Sequence, residues 1–264
     1  MTDTAAATTD LTLVELIRAR PALTGVFEGL GLDFCCGGDR TLGEACAASG
    51  VAVIDALAAL DEAAATGSQS PGDSWTVLGP AELADHIESV HHRWLHTELP
   101  ELQRLAEKVL SVHGERHPEL VEVRRLVDEL AGDFGPHLAK EDRVLFPAIR
   151  ALTEGRSGFS FGSIANPIAA MTSEHETVGG LLAQLHATTG GYIVPDDSCT
   201  TYRLFYERLS ALESDTHLHV FKENSVLFPA AVELEAAASP WSTTVTRPPS
   251  GRPHRRRTPE GTDI

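Results

Sequence analysis

The chain has 264 residues, with 21 basic against 38 acidic side chains and a formal charge of −17. That balance repels nucleic acid and anionic membrane, so neither is expected as a partner. No apolar run approaches the ~18 residues of a membrane span, and the first ten residues lack the basic and apolar blocks of a signal peptide, so a cytoplasmic protein is expected.

Residues 1–10 are Thr- and Ala-rich and read as a flexible N-terminus. Residues 11–62 read as a small helical unit, in which Leu13, Leu16 and Ile17 recur at helical spacing and Leu57 and Leu60 close a last short helix. Between them lies a Gly-rich elbow, Gly29 to Gly43, which holds the run Leu32-Asp33-Phe34-Cys35-Cys36-Gly37-Gly38. Four cysteines in a cytoplasmic chain are expected to be reduced thiols rather than a disulfide framework. Adjacent Cys35 and Cys36 have two readings: a reactive pair suited to redox exchange or iron handling, or a buried structural pair. Cys46 and Cys199 read as structural. A unit this small has little core of its own, so docking on another chain, and hence a homodimer, is expected.

Residues 63–75 have linker composition. From 76 to 237 four long helices are predicted, over about 80–112, 118–152, 167–189 and 198–237. Gly114, a Gly/Ser/Phe loop at 154–165 and the Gly190-Gly191 to Pro195 stretch separate them. Four antiparallel helices with short links describe an up-down bundle, an architecture that commonly holds metals in its core. Residues 238–264 carry Arg247, Arg252, Arg255, Arg256 and Arg257 among Pro, Ser and Thr, and read as a disordered basic tail. The fold class is therefore all-α.

Within the bundle, HLAKEDRVLFPA at 137–148 returns as HVFKENSVLFPA at 219–230, with eight of twelve positions identical. Each copy sets a His and a Glu four residues apart, on one face of a helix. His92 and His175 repeat at nearly the same offset, which makes the bundle a duplicated two-helix unit. The candidate metal ligands are His92, His137, Glu141, His175, His219 and Glu223. Four imidazoles and two carboxylates suit a pair of ions if both Glu bridge, each two-helix unit bringing both imidazoles of one ion. Iron is favoured over zinc, because an oxygen-bridged pair with open positions can exchange electrons. His96 is the runner-up ligand on the first helix. His86 lies on the same helix outside the set, His91 and His217 point elsewhere, and His113, His117, His186 and His254 read as neutral or structural. Glu174 reads as a solvated side chain, with a place along an entry path as the alternative. The Phe146-Pro147 and Phe228-Pro229 pairs either bend the helix ends around the site or end the regular helix.

Asp33-Phe34-Cys35-Cys36-Gly37-Gly38, then Thr41-Leu42, then the duplicated His-x-x-x-Glu with Leu-Phe-Pro, resembles the repair-of-iron-centres proteins over about residues 11–236. The resemblance implies a small Cys-Cys domain followed by a hemerythrin-like bundle that holds a non-haem di-iron centre. It maps four His and two bridging Glu onto the six residues above. It also implies repair of iron–sulfur clusters damaged by nitric oxide or oxidative stress, by supplying iron, with nitric oxide reduction as a further activity. Damaged iron–sulfur proteins would then be the partners, and nitric oxide or oxygen the small ligands. Asp142 and Asn224, after the two Glu, and the basic tail depart from that pattern. The alternative is a hemerythrin-like module that binds or senses oxygen or nitric oxide without turnover, although hemerythrins use five His.

Overall fold

The computed structural model describes residues 8–66 and 73–238. The expected N-terminal arm up to residue 7, the middle of the linker and the basic tail lie outside the described residues. Among those described, no strand forms and the architecture is all-α.

Among its described residues the N-terminal unit contains the short helices α1 (Leu13–Ala19), α2 (Leu23–Gly29), α3 (Leu42–Ser49) and α4 (Val53–Thr66). Capping boxes start α1 and α3, where Thr12 and Thr41 accept from the backbone N–H of Glu15 and Glu44 and the two carboxylates reach back to the Thr N–H groups. A 3₁₀ turn at Asp73–Val77 leads into the bundle.

Three of the four long bundle helices are not regular. The first is α5 (Pro80–Ile87), a π turn (Glu88–His92) and α6 (Arg93–His113). The second is α7 (Leu120–Lys140), a π turn (Glu141–Leu145) and α8 (Phe146–Thr153). The third, α9 (Ala165–Thr188), is uninterrupted, and the fourth is α10 (Thr200–Lys222), a π turn (Glu223–Leu227) and α11 (Phe228–Ala238). Consecutive helices pack side by side, and the fourth returns to the first.

Pro147 and Pro229 therefore neither end the helix nor simply kink it. Each follows a π turn closed by the N–H of Phe146 on the Glu141 carbonyl, or of Phe228 on the Glu223 carbonyl. The proline then sits at the second position of a restarted α segment, where its missing N–H removes no regular bond. The π turn at Glu88–His92 has no proline to announce it, and it breaks the single helix expected over 80–112.

Apolar spacing explains why the ligands face inward. On α10 the buried positions run Tyr202, Phe205, Leu209, Leu212, Thr216 and His219 in steps of three and four, and the next step is Glu223. On α7 they run Val123, Leu126, Leu130, Phe134 and His137, and the next is Glu141. The polar ligands thus continue the core stripe. They fall between two apolar clusters, one built from residues such as Leu95, Phe134, Val178 and Leu212, the other from Ile87, Leu145, Met171 and Leu227.

The second cluster also contains Leu13, Ile17, Phe27, Phe34, Leu42 and Ala56 of the N-terminal unit. The small unit thus shares one apolar core with its own bundle. Phe221 meets the rings of Phe34 and Trp75 at centroid distances of 5.9 and 6.1 Å. Arg18 donates to the Ser225 carbonyl, and Asn224 Nδ2 to the Cys35 carbonyl, so the elbow sits directly on the fourth helix.

Candidate metal centre

The six candidate ligands come together at the middle of the bundle, each at most 2% exposed. They form two groups that share both carboxylates: His92, His219, Glu141 and Glu223, and His137, His175, Glu141 and Glu223. The pairing corrects the expectation that each two-helix unit serves one ion. Each group takes one imidazole from each unit, His92 with His219 across the first and fourth helices and His137 with His175 across the second and third. Glu223 spans the groups, with Oε1 3.1 Å from His219 Nε2 and Oε2 3.1 Å from His175 Nε2. Glu141 Oε2 lies 3.3 Å from His137 Nε2 and 3.5 Å from His92 Nε2.

The rings are held from behind. His92 Nδ1–H donates to Asp142 Oδ1 at 2.7 Å, His137 Nδ1–H to Glu174 Oε2 at 2.9 Å, and His175 Nδ1–H to Asn224 Oδ1 at 2.9 Å. A proton on Nδ1 leaves the Nε2 lone pair pointing into the centre, the arrangement a metal ligand needs. Phe146 stacks on His92 at 5.3 Å and Phe228 on His175 at 6.0 Å. The duplicated Phe and the residue after each Glu therefore do the same work in both units, orienting the lone His.

The other pair breaks the symmetry. Glu174, one residue before His175, accepts from His137 and pairs with Lys140, so it is no solvated bystander. Its counterpart one residue before His92 is His91, which stacks on His219 at 5.3 Å with nearly parallel rings. His91 is buried and donates from Nδ1 to Asp215 at 2.8 Å, while its Nε2 accepts from Lys222 Nζ at 2.7 Å. Lys222 also donates to His86 Nε2 at 3.0 Å, and burial, first among the causes, lowers its pKa to about 8. His219 Nδ1 has no hydrogen-bond partner, and burial, the largest cause, lowers the pKa of its ring.

Spacing alone does not single out His91, Lys222 and Asp215, which packing of the first helix against the fourth brings together behind His219. His96, the runner-up, is exposed and belongs to neither group. His217 faces the N-terminal unit, 3.6 Å from Glu28. His113 is buried with Nε2 3.2 Å from Cys199 Sγ, and Cys199 is exposed at the head of α10 rather than in a core. Cys46 is fully buried.

The centre fits a metal. Both oxygens of Glu141 and Oε2 of Glu223 are buried without a hydrogen-bond partner, which costs several kcal/mol per carboxylate unless a cation answers it. His92 and His219 set their Nε2 atoms 3.1 Å apart, and His137 and His175 set theirs 3.2 Å apart. Two nitrogens at right angles on one ion, with bonds of ~2.1 Å, stand ~3.0 Å apart. Imidazole with carboxylate is a donor set for iron, manganese or zinc.

Residues 83–231 match the hemerythrin HHE cation binding domain, and residues 9–64 match a domain of unknown function, DUF542. The iron-sulfur cluster repair protein ScdA of Staphylococcus haemolyticus is 32% identical over 84% of this chain and 97% of its own length. The chain belongs to the iron–sulfur cluster repair family. Proteins named YtfE in that family are similarly related, at 33% identity in an Enterobacter species and 32% in Citrobacter koseri, each over 86% of this chain and 98% of the relative. The match to the cation binding domain spans the four-helix bundle, and both shared carboxylates lie inside it. No helix among the described residues is long and apolar enough to cross a membrane.

Asp142→Asn tests the support of the metal ligands. It keeps shape and a hydrogen-bond acceptor but removes the charge behind His92. Loss of such support costs about 10- to 100-fold in metal affinity. The loss is expected at the His92/His219 group and not at the other, read by competition against a chelator of known affinity.

Proposed function

We propose that the protein carries two iron ions, one in each His–Glu group, and repairs iron–sulfur clusters damaged by nitric oxide or oxidative stress by supplying iron. The observation that carries this reading is the pair of two-imidazole groups joined by Glu141 and Glu223. The names of the relatives point to cluster repair as the task. An iron pair supplies redox chemistry and open positions for a small ligand, so nitric oxide reduction belongs to the same reading. The chain's own residues hold the imidazoles in their binding tautomer, keep the centre dry and leave the two groups unequal. The targets would be damaged iron–sulfur proteins of the cytoplasm.

The inequality says which iron would be supplied. The His137/His175 group is backed by Glu174 and by Asn224, which the Cys35 carbonyl anchors. The His92/His219 group has the Lys222 ammonium behind His91 and an unsupported His219. His92 and Asp142 also line an opening of about 410 Å³, with Asp85, Glu88, Arg93 and His96 at its sides. Like charge behind His91, an unsupported His219 and a way out to solvent all favour release from this side.

The experiment follows iron and repair together. The loaded protein is mixed with a nitric-oxide-damaged iron–sulfur dehydratase, while a chelator tracks free iron. Biphasic iron loss is expected, with the first iron leaving in step with recovered dehydratase activity and His219→Ala abolishing that phase. Full repair by metal-free protein would overturn the reading. A reversible gas adduct with no iron loss and no repair would favour the hemerythrin-like binding module instead.

A further inference from the structure

A groove of about 820 Å³ runs between the N-terminal unit and the outer faces of α9 and α10, away from the opening beside His92. Its lining includes Glu28, Asp33, Glu176 and Glu213 but no Lys or Arg, so its field attracts cations. The elbow brings Asp33, Cys35 and Cys36 into it, and one ligand atom from each lies within 4.8 Å of the others. The convergence is built into the backbone. Asp33 Oδ1 accepts from the Cys36 N–H at 3.0 Å and lies 3.4 Å from Cys35 Sγ, while the two sulfurs stand 3.7 Å apart. A Cβ on Gly37 would meet the Asp33 carbonyl at 2.8 Å, and one on Gly38 the Phe34 carbonyl at 2.9 Å. Only glycine lets the chain fold back this tightly over its own donors.

We propose that Asp33, Cys35 and Cys36 form a separate site for a thiophilic divalent cation such as ferrous iron or zinc, open on its groove side to an incoming ligand. Two sulfurs with one carboxylate make a softer donor set than the imidazole–carboxylate centre, and so select differently. Cys36 is the exposed thiol, and its hydrogen bond with Cys35, the first cause, lowers its pKa while raising that of Cys35. The thiolate a cation needs is thus already favoured at the accessible sulfur. One side chain separates this site from the His–Glu centre: Asn224 donates to the Cys35 carbonyl and accepts from His175. The proposal stands whether or not the His–Glu centre donates iron.

The probe is Co²⁺, added without oxygen to the full chain after its His–Glu centre has been loaded with iron and its thiols counted as reduced. About one further equivalent is expected to bind with a sulfur-to-cobalt charge-transfer band, diagnostic of thiolate ligation. The band should vanish in Cys36→Ser and in the Cys35→Ser/Cys36→Ser double variant while bundle iron is retained, and binding should weaken in Asp33→Asn. It should persist in Glu223→Ala, which removes only the other centre. X-ray absorption on the zinc-loaded protein gives a second readout, with sulfur neighbours expected at ~2.3 Å. Absence of the band and of sulfur neighbours in the wild type would overturn the proposal, as would a band that survives in the double variant.

Discussion

Glu223→Ala is expected to empty both halves of the metal centre, taking bound iron from two per chain to near none, whereas His219→Ala should leave the His137/His175 group loaded. The difference follows from sharing. Glu223 places one oxygen at His219 and the other at His175, so its loss strips a ligand from each group. His219 serves one group alone. Stability separates this from simple misfolding. In the metal-free wild type, Glu223 is fully buried, and burial opposes its ionisation. The neighbouring His219 and His175 nonetheless hold its pKa well below the usual carboxylate range. The ionised carboxylate therefore stabilises the metal-free fold at neutral pH, so the metal-free variant should melt below the metal-free wild type. Added iron should raise the melting temperature of the wild type by mass action and leave the variant unmoved. Elemental analysis beside a melting curve with and without iron checks both statements. A Glu223→Ala protein that keeps one tightly held iron would show that the two groups do not depend on a common carboxylate.

Much of this centre is legible in the residues, because helical spacing and internal repetition are both local properties. His137/Glu141 and His219/Glu223 each need only one turn of helix to share a face, and the repeat at 137–148 and 219–230 singles them out among twelve His. What the pattern does not contain is how helices meet across the bundle. The pairing of His92 with His219, and of His137 with His175, depends on which helices become neighbours. The acceptors behind the rings are set the same way: Glu174 reads as a surface residue until the second helix packs beside the third. The π turns are hidden for another reason. Each adds one residue to a turn and shifts the inward face, so at Glu88–His92 an ordinary spacing rule predicts one buried His where two are buried. Pro147 and Pro229 were the available signal for the other two π turns. They read as breaks because proline in a helix normally costs a hydrogen bond, and a π turn just before it avoids that cost. The seating of the small unit was the least legible of all, since Phe34 and Phe221 lie far apart in sequence and neither belongs to a motif that names the other.

Phe221→Ala is expected to destabilise the chain by about 3–5 kcal/mol, the usual cost of deleting a fully buried aromatic ring. The position makes this more than a core deletion. Phe221 lies two residues from both His219 and Glu223, so it leaves α10 in another direction from the ligands and inserts between Phe34 and Trp75. It is the ring on which the Cys-bearing elbow rests. Without it, the contacts between the small unit and the fourth helix are thinner: the edge of Phe34 on the His217 ring, and the hydrogen bonds of Arg18 on Ser225 and Asn224 on Cys35. Such hydrogen bonds contribute about 1 kcal/mol each and do not replace a buried ring. Amide exchange should therefore accelerate across α1 to α4 far more than across α6 and α7, where the first apolar cluster is untouched. Iron content should fall little, because all six ligands stand on the bundle helices. Phe221→Leu, which refills most of the volume, should recover most of the lost stability and slow the exchange again. A denaturation midpoint that barely moves, or exchange that quickens evenly through the bundle, would mean that the small unit is held by something other than this ring. If instead the unit loosens while iron stays, supply of iron from the centre and handling of a cation at the cysteines become separable by one substitution, and repair assayed on Phe221→Ala shows whether the two must be joined.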